Sequence, residues 1–162
     1  MKDSLIKIIN DQINAEMFSA YLYLSMSVYF ERESWSGFAH WMRMQAAEEM
    51  EHAERFIKYL QERGATVVLG AIEAPRKDWP GVTEVFKEAL EHEKLVTSLI
   101  NKIMDAAVSE KDYATVSALQ WFIDEQVEEE DVATGIVDKL VRINGKIAGL
   151  MVLDGNLGKR DE

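Results

Sequence analysis

The stretch Phe38-Ala39-His40-Trp41-Met42-Arg43-Met44-Gln45-Ala46-Ala47-Glu48-Glu49-Met50-Glu51-His52-Ala53-Glu54-Arg55-Phe56 decides the fold. Alternating steps of three and four through it pick out Phe38, Met42, Gln45, Glu49, His52 and Phe56, and the rhythm continues to Tyr59. Such steps hold side chains on one face of a helix, the face that helices bury against one another. This seam is apolar at both ends and carries an acid and an imidazole in the middle. The rhythm recurs in three other places. It runs through Ile9, Gln12, Glu16, Ser19, Tyr23, Met26 and Phe30, and through Val82, Phe86, Ala89, Glu93, Val96, Ile100, Ile103 and Ala107. Its last copy is Leu119, Phe122, Gln126, Glu129, Ala133, Ile136 and Leu140. Each seam holds a glutamate where an apolar residue belongs. An uncompensated buried carboxylate costs several kcal/mol, so four that meet in one core call for a cation. The alternative is a loose bundle from which the four glutamates reach outward to solvent.

The boundaries between seams set the topology. The pattern predicts helices over about 3–32, from Ser36 to about Arg63, over 82–109 and from Asp112 to about Arg142. Ser36 and Asp112 are the expected N-caps, and Gly64 the expected stop of the second helix. A short apolar helix over about 146–157 follows the break at Asn144-Gly145. Residues 64–81 hold both prolines, Pro75 and Pro80, and an extended-looking run at 66–69. Eighteen extended residues span ~60 Å, whereas a helix of the second segment's length is ~40 Å long. The link is therefore long enough to travel the whole bundle. Helices one and two then form one antiparallel hairpin, helices three and four another, and helices two and three run parallel. All four seam glutamates fall at nearly one level, ~18–24 Å from one end.

The 162 residues suffice for one domain with a full core, and 48% of them are hydrophobic. A net charge of -11 argues against binding nucleic acid, whose phosphates need clustered Lys and Arg, and against an anionic membrane surface. It suits a chain that collects cations. The absence of cysteine excludes a disulfide scaffold, a thiolate zinc site and an iron–sulfur cluster. No apolar run approaches the ~20 residues of a membrane span, and the first residues lack a signal-peptide core, so a cytoplasmic protein is expected.

Glu49 and His52 stand three residues apart and reach the same point in space. Two cations held about 3.5–4 Å apart need a shared carboxylate, and Glu49, which faces Glu16, Glu93 and Glu129, is the candidate bridge. Mostly oxygen donors with one nitrogen suit iron or manganese better than copper or zinc. Tyr23 lies on the same seam as Glu16, placed either to donate a hydrogen bond to a ligand, to supply an electron, or simply to pack. Gln126, one turn before Glu129, is expected to orient a ligand. Glu48, Glu125, Glu128 and Glu129 form a second carboxylate group that either holds a third cation or lies on a solvated face. His40, His92 and Glu130 have no seam partner and read as surface or packing residues. The terminal helix is too short to stand alone. It is predicted to pack at a symmetry axis between subunits, the alternative being that it folds back onto its own bundle.

Several motifs together resemble the ferritins, and specifically the non-haem ferritins of bacteria and archaea. They are Asn14-Ala15-Glu16 with Tyr21-Leu22-Tyr23, Glu48-Glu49-Met50-Glu51-His52, Glu91-His92-Glu93, and the run from Trp121 through Glu125, Gln126, Glu128 and Glu129 to Glu130. The resemblance implies an all-α, ferritin-like fold over residues 1–162 as a single domain. It comprises a four-helix bundle (about 3–142), one long crossover between helices two and three, and a short C-terminal fifth helix (about 146–157). It implies iron storage with ferroxidase activity, in which Fe(II) is oxidised by O2 at a di-iron centre and deposited as ferric oxyhydroxide inside a hollow cage. Glu16, Glu49 and His52 match a first iron site, and Glu49, Glu93 and Glu129 a second, bridged by Glu49. Glu48, Glu125, Glu128 and Glu129 match a third, while Tyr23 and Gln126 match the tyrosine and glutamine beside the centre. The implied assembly is a homo-oligomer of 24 subunits. The haem-binding relatives carry Glu-x-x-His twice. Here the second copy meets Val132, so no haem is expected. The rival function is a small di-metal oxidase or peroxidase that stores no mineral.

Overall fold

The computed structural model describes residues 1–160. Five helices follow in order: α1 (Asp3–Arg32), α2 (Ser36–Glu62), α3 (Val82–Glu110), α4 (Tyr113–Ile143) and α5 (Ile147–Leu157). α1 pairs with α2, α3 with α4, and α1 also packs on α3, which closes a four-helix bundle. Its core divides into two apolar clusters. One gathers Leu5, Ile9 and Ile13 of α1, Phe56 and Leu60 of α2, Val96, Ile100 and Ile103 of α3, and Leu119 and Phe122 of α4. The other gathers Met26 and Phe30, Phe38 and Met42, Val85 and Phe86, and Ile136 and Leu140. The starts of α2 and α3 thus lie at one end and their finishes at the other, so these two helices run parallel. Between the clusters lies a buried polar layer that includes Gln12, Glu16, Gln45, Glu49, His52, Glu93, Gln126 and Glu129.

The 64–81 link makes the parallel step possible, and it runs along α1. Asn10 brackets its start, accepting from the Val68 amide at 2.7 Å and donating to the Thr66 carbonyl at 3.1 Å. Asn14 donates to the Ala71 carbonyl, Ser25 to the Arg76 carbonyl and Tyr29 to the Trp79 carbonyl. The extended 66–69 run therefore pairs with side chains of a helix, and no strand forms among the described residues. Trp79 anchors the far end; its ring is buried against Tyr29 with centroids 5.2 Å apart.

The caps differ in part from expectation. Asp112 caps α4, accepting from the Thr115 amide at 3.1 Å. Both its oxygens also take the Arg63 guanidinium at 2.9 Å, which ties the end of α2 to the start of α4. Ser36 does not cap α2. It is the first helical residue, the N-cap is Trp35, and no side chain of that residue satisfies the helix. The missing acceptor comes from α5, where Asp154 Oδ1 takes the Phe38 amide at 2.8 Å. An anion at this position also suits the positive end of the helix dipole. α5 folds back onto α2 and α4, burying Leu150 and Leu153 and leaving Ile147, Met151 and Val152 exposed. No helix among the described residues is long and apolar enough to cross a membrane.

Candidate metal centre

The polar layer is built by one turn from each of the four bundle helices. α1 contributes Glu16, α2 Glu49 and His52, α3 Glu93 and α4 Glu129, all buried. Each sits where its helix's apolar seam passes the bundle axis, so the packing that buries the seam also forces the acids inward. Glu16, Glu49 and His52 come within 4.8 Å of one another through one ligand atom each. His52 Nδ1 stands 3.6 Å from Glu49 Oε2. The imidazole is held from behind by aromatic edges, with Trp121 at 5.4 Å and Phe122 at 6.2 Å.

Glu93 and Glu129 lie outside that tight trio, and hydrogen bonds explain why. Tyr23 donates its phenol proton to Glu93 Oε1. Gln126 donates to Glu93 Oε2 at 3.2 Å and to the Glu93 carbonyl. Gln45 donates to Glu129 Oε2 at 2.9 Å. Gln12, one turn before Glu16, donates to Glu16 Oε1 at 2.8 Å. Gln126, the amide expected to orient a ligand, donates to Glu93 on the neighbouring α3 and not to Glu129 on its own helix. Gln12 and Gln45 play the same part on Glu16 and Glu129, a role the sequence reading left unassigned. Its available signal was an amide in the seam four residues before Glu16 and before Glu49.

What remains after these bonds is informative. Glu16 Oε2 and Glu49 Oε2 are fully buried and have no hydrogen-bond partner among the described residues. Buried acceptors are nearly always satisfied, so two orphaned oxygens on neighbouring carboxyls call for a partner. Burial, and then the charge of Glu49, pushes the Glu16 carboxyl well above the ordinary carboxylate range. Burial, and then the charge of Glu93, does the same to Glu49. Glu93 is raised by burial, though the Tyr23 and Gln126 donors oppose it. Glu129 is pushed up to about 7 by burial and by the charge of Glu93. The Tyr23 phenol is raised by burial and by the charge of Glu93, so it keeps its proton as a donor. Four acids whose ionised forms are penalised, two of them with vacant lone pairs, fit a site that a hard cation completes.

The outer carboxylates are arranged less tightly. Glu48 is part-exposed and bound by Arg160, with Nη2 to Oε2 at 2.6 Å. Glu125 is half-buried and Glu128 exposed, and neither joins a close ligand group among the described residues. His92 is not a bare packing residue, since its Nε2 meets the Ser19 hydroxyl at 2.7 Å. Glu130 accepts from Thr97 Oγ1 at 2.6 Å, which likewise gives it a partner in α3.

Comparison with known proteins points in the same direction as this geometry. A family model described as a ferritin-like domain matches residues 6–143. The chain is 46% identical over 160 residues to a bacterial non-heme ferritin of Bacteroides fragilis, covering 99% of each chain. It is 38% identical to a bacterial non-heme ferritin of Staphylococcus aureus, over 99% of this chain and 96% of that one. Among solved structures, an open pore ferritin from the hyperthermophilic archaeon Archaeoglobus fulgidus superposes with a TM-score of 0.98 at 42% identity, covering 99% of each chain.

Proposed function

The chain belongs to the ferritin-like family as a non-haem ferritin of the bacterial and archaeal type, and we propose that it stores iron by oxidising Fe(II) at the buried acidic layer. Iron is the substrate and the cargo. Glu16, Glu49 and His52 receive the first Fe(II), and Glu49, Glu93 and Glu129 the second, with Glu49 shared. The observation that carries this reading is the pair of orphaned, buried oxygens on Glu16 and Glu49. They give a divalent cation what it needs and gain from it the partner they lack.

Charge drives uptake. Each arriving Fe(II) displaces protons that burial has kept on the carboxyls, and the ionised oxygens then stabilise the more highly charged ferric product. Each Fe(II) gives one electron to dioxygen. The hydrogen bonds from Gln12 and Gln45 hold one oxygen of Glu16 and one of Glu129 and leave the other for metal, while Tyr23 and Gln126 hold Glu93 by both of its oxygens. Ferric ions hydrolyse, release further protons and pass toward Glu48, Glu125, Glu128 and Glu129, the third position, on their way to mineral.

Storage needs an enclosed volume, and ferritin relatives support a homo-oligomer. We assign 24 subunits, with the exposed Ile147, Met151 and Val152 of α5 covered by copies of the same helix at a symmetry axis. The protein acts in the cytoplasm as one domain over residues 1–162, without haem. An anaerobic Fe(II) titration followed by air tests the function. We expect at least two Fe(II) bound per subunit and oxidation that continues over many turnovers with growing mineral absorbance. Saturation after one turnover contradicts storage, and oxidation no faster than the protein-free control contradicts the ferroxidase.

A further inference from the structure

Residues 154–160 run along the edge of the acidic layer at Gln45 and Glu48, and their course is set by close packing. Gly37, the second residue of α2, touches the finish of α5: a Cβ there would stand 1.8 Å from the Asp154 carbonyl oxygen. Gly158 meets the same glycine, since its own Cβ position lies 3.0 Å from Gly37 Cα. Two bare backbones thus meet, and the Asp154 cap on Phe38 fastens them. From that contact the tail runs down α2. His40 donates from Nε2 to the Arg160 carbonyl at 2.8 Å. The Arg160 guanidinium passes over the Trp41 ring at 5.4 Å. It donates from Nη1 to Gln45 Oε1 and from Nη2 to Glu48 Oε2 at 2.6 Å. Trp41, Gln45 and Glu48 fall on one face by steps of four and three, so a single extended arginine spans them.

Gln45 links this tail to the centre. Its oxygen faces Arg160, and its nitrogen donates to Glu129 Oε2. The amide is therefore oriented from both sides, and Arg160 selects the orientation that presents its NH2 to Glu129. We propose that Arg160 is a positioning residue for the outermost cation. Its guanidinium stands in for that cation on Glu48 and, through Gln45, holds Glu129 while the position is free of metal. A cation arriving at Glu48 displaces the tail and loosens Gln45 from Glu129, which frees that carboxylate to turn outward. A tethered single charge keeps Glu48 compensated between transfers yet yields to an ion of higher charge. The inference rests on the metal-binding reading of the layer.

The test uses metal-free, full-length protein and Tb(III), a redox-inert cation that prefers oxygen, with binding followed by luminescence and equilibrium dialysis. The proteins compared are the unmodified chain, Arg160→Ala, Arg160→Lys and Lys159→Ala. Lys159 is exposed and removes the same charge from the tail without the contacts. Because the Arg160–Glu48 pair is part-exposed, we expect Arg160→Ala to tighten the weakest class of sites roughly three- to tenfold. Arg160→Lys should fall between it and the unmodified chain, Lys159→Ala should change nothing, and high salt should shrink the difference. A weakest class that is unchanged or weakened in Arg160→Ala, beside intact tighter sites, overturns the proposal alone. Absence of tight binding in the unmodified chain overturns the metal-centre reading, and this proposal with it.

Discussion

Glu49 concentrates the chemistry of the layer, because it faces Glu16, His52, Glu93 and Glu129 and holds an oxygen with no partner. Replacing it should separate function from folding. We expect Glu49→Ala to slow Fe(II) oxidation by at least about 100-fold. The metal-free protein should hold its fold and gain roughly 1–4 kcal/mol, since a buried charge cluster is relieved. Stopped-flow absorbance and thermal melting measure the two effects. Glu129 gives the pH dependence. Its carboxyl is raised from 4.5 to about 7 in the folded state, so the native protein binds this proton more tightly than the unfolded chain does. The cost of ionising it is absent below about 4.5, grows as pH rises, and is complete above about 7. Metal-free protein should therefore lose stability across that window, and Glu129→Gln should flatten the loss. Anaerobic Fe(II) binding should release more protons at pH 6 than at pH 8, which calorimetry in two buffers reads directly. Asp112 acts with the opposite sign. Its carboxyl is held well below the usual range by Arg63. That contribution is present above the ordinary value of 3.8 and is lost as pH falls through the depressed one. At this scale the acids and His52 were legible because helical spacing alone puts them on the buried seam. Their hydrogen-bond partners were not, because Gln126 reaches Glu93 and Gln45 reaches Glu129 across helices. Arg160 carried no signal at all, since its place depends on where α5 turns back.

Among the elements, α5 is the piece whose attachment has the clearest physical handle. It supplies the cap that α2 lacks and sits against a glycine with no room for a side chain. Gly37→Ala should push α5 away and cost about 1–3 kcal/mol, seen as a lower denaturation midpoint. Ser36→Ala, by contrast, should cost little, because Ser36 caps nothing. The serine looked like a cap since it precedes the seam at the right distance. The backbone instead enters the helix one residue earlier, and an acid from 118 positions on (Ser36 to Asp154) does the work. The long link was legible as a crossover from length alone. The side chains that fix its path, Asn10, Asn14, Ser25 and Tyr29, were hidden because they lie beside the apolar seam of α1 on a stripe of mostly polar residues, which the sequence alone does not separate from a solvated face.

The molecule as a whole is two apolar clusters with an acidic layer between them. The clusters supply the stability that lets the layer stay unsatisfied, a division of labour common where function needs a strained site. The assembly is the property least visible in one chain, since it depends on surfaces such as the exposed face of α5 that composition does not distinguish. Sedimentation should find a shell of 24 chains, and a dimer would contradict the cage. The most direct check on the acidic layer is anomalous diffraction at the iron edge from crystals soaked anaerobically in ferrous salt. We expect two peaks sharing Glu49, one beside Glu16 and His52, the other beside Glu93 and Glu129. An empty layer with its carboxylates turned to solvent would contradict the entire reading.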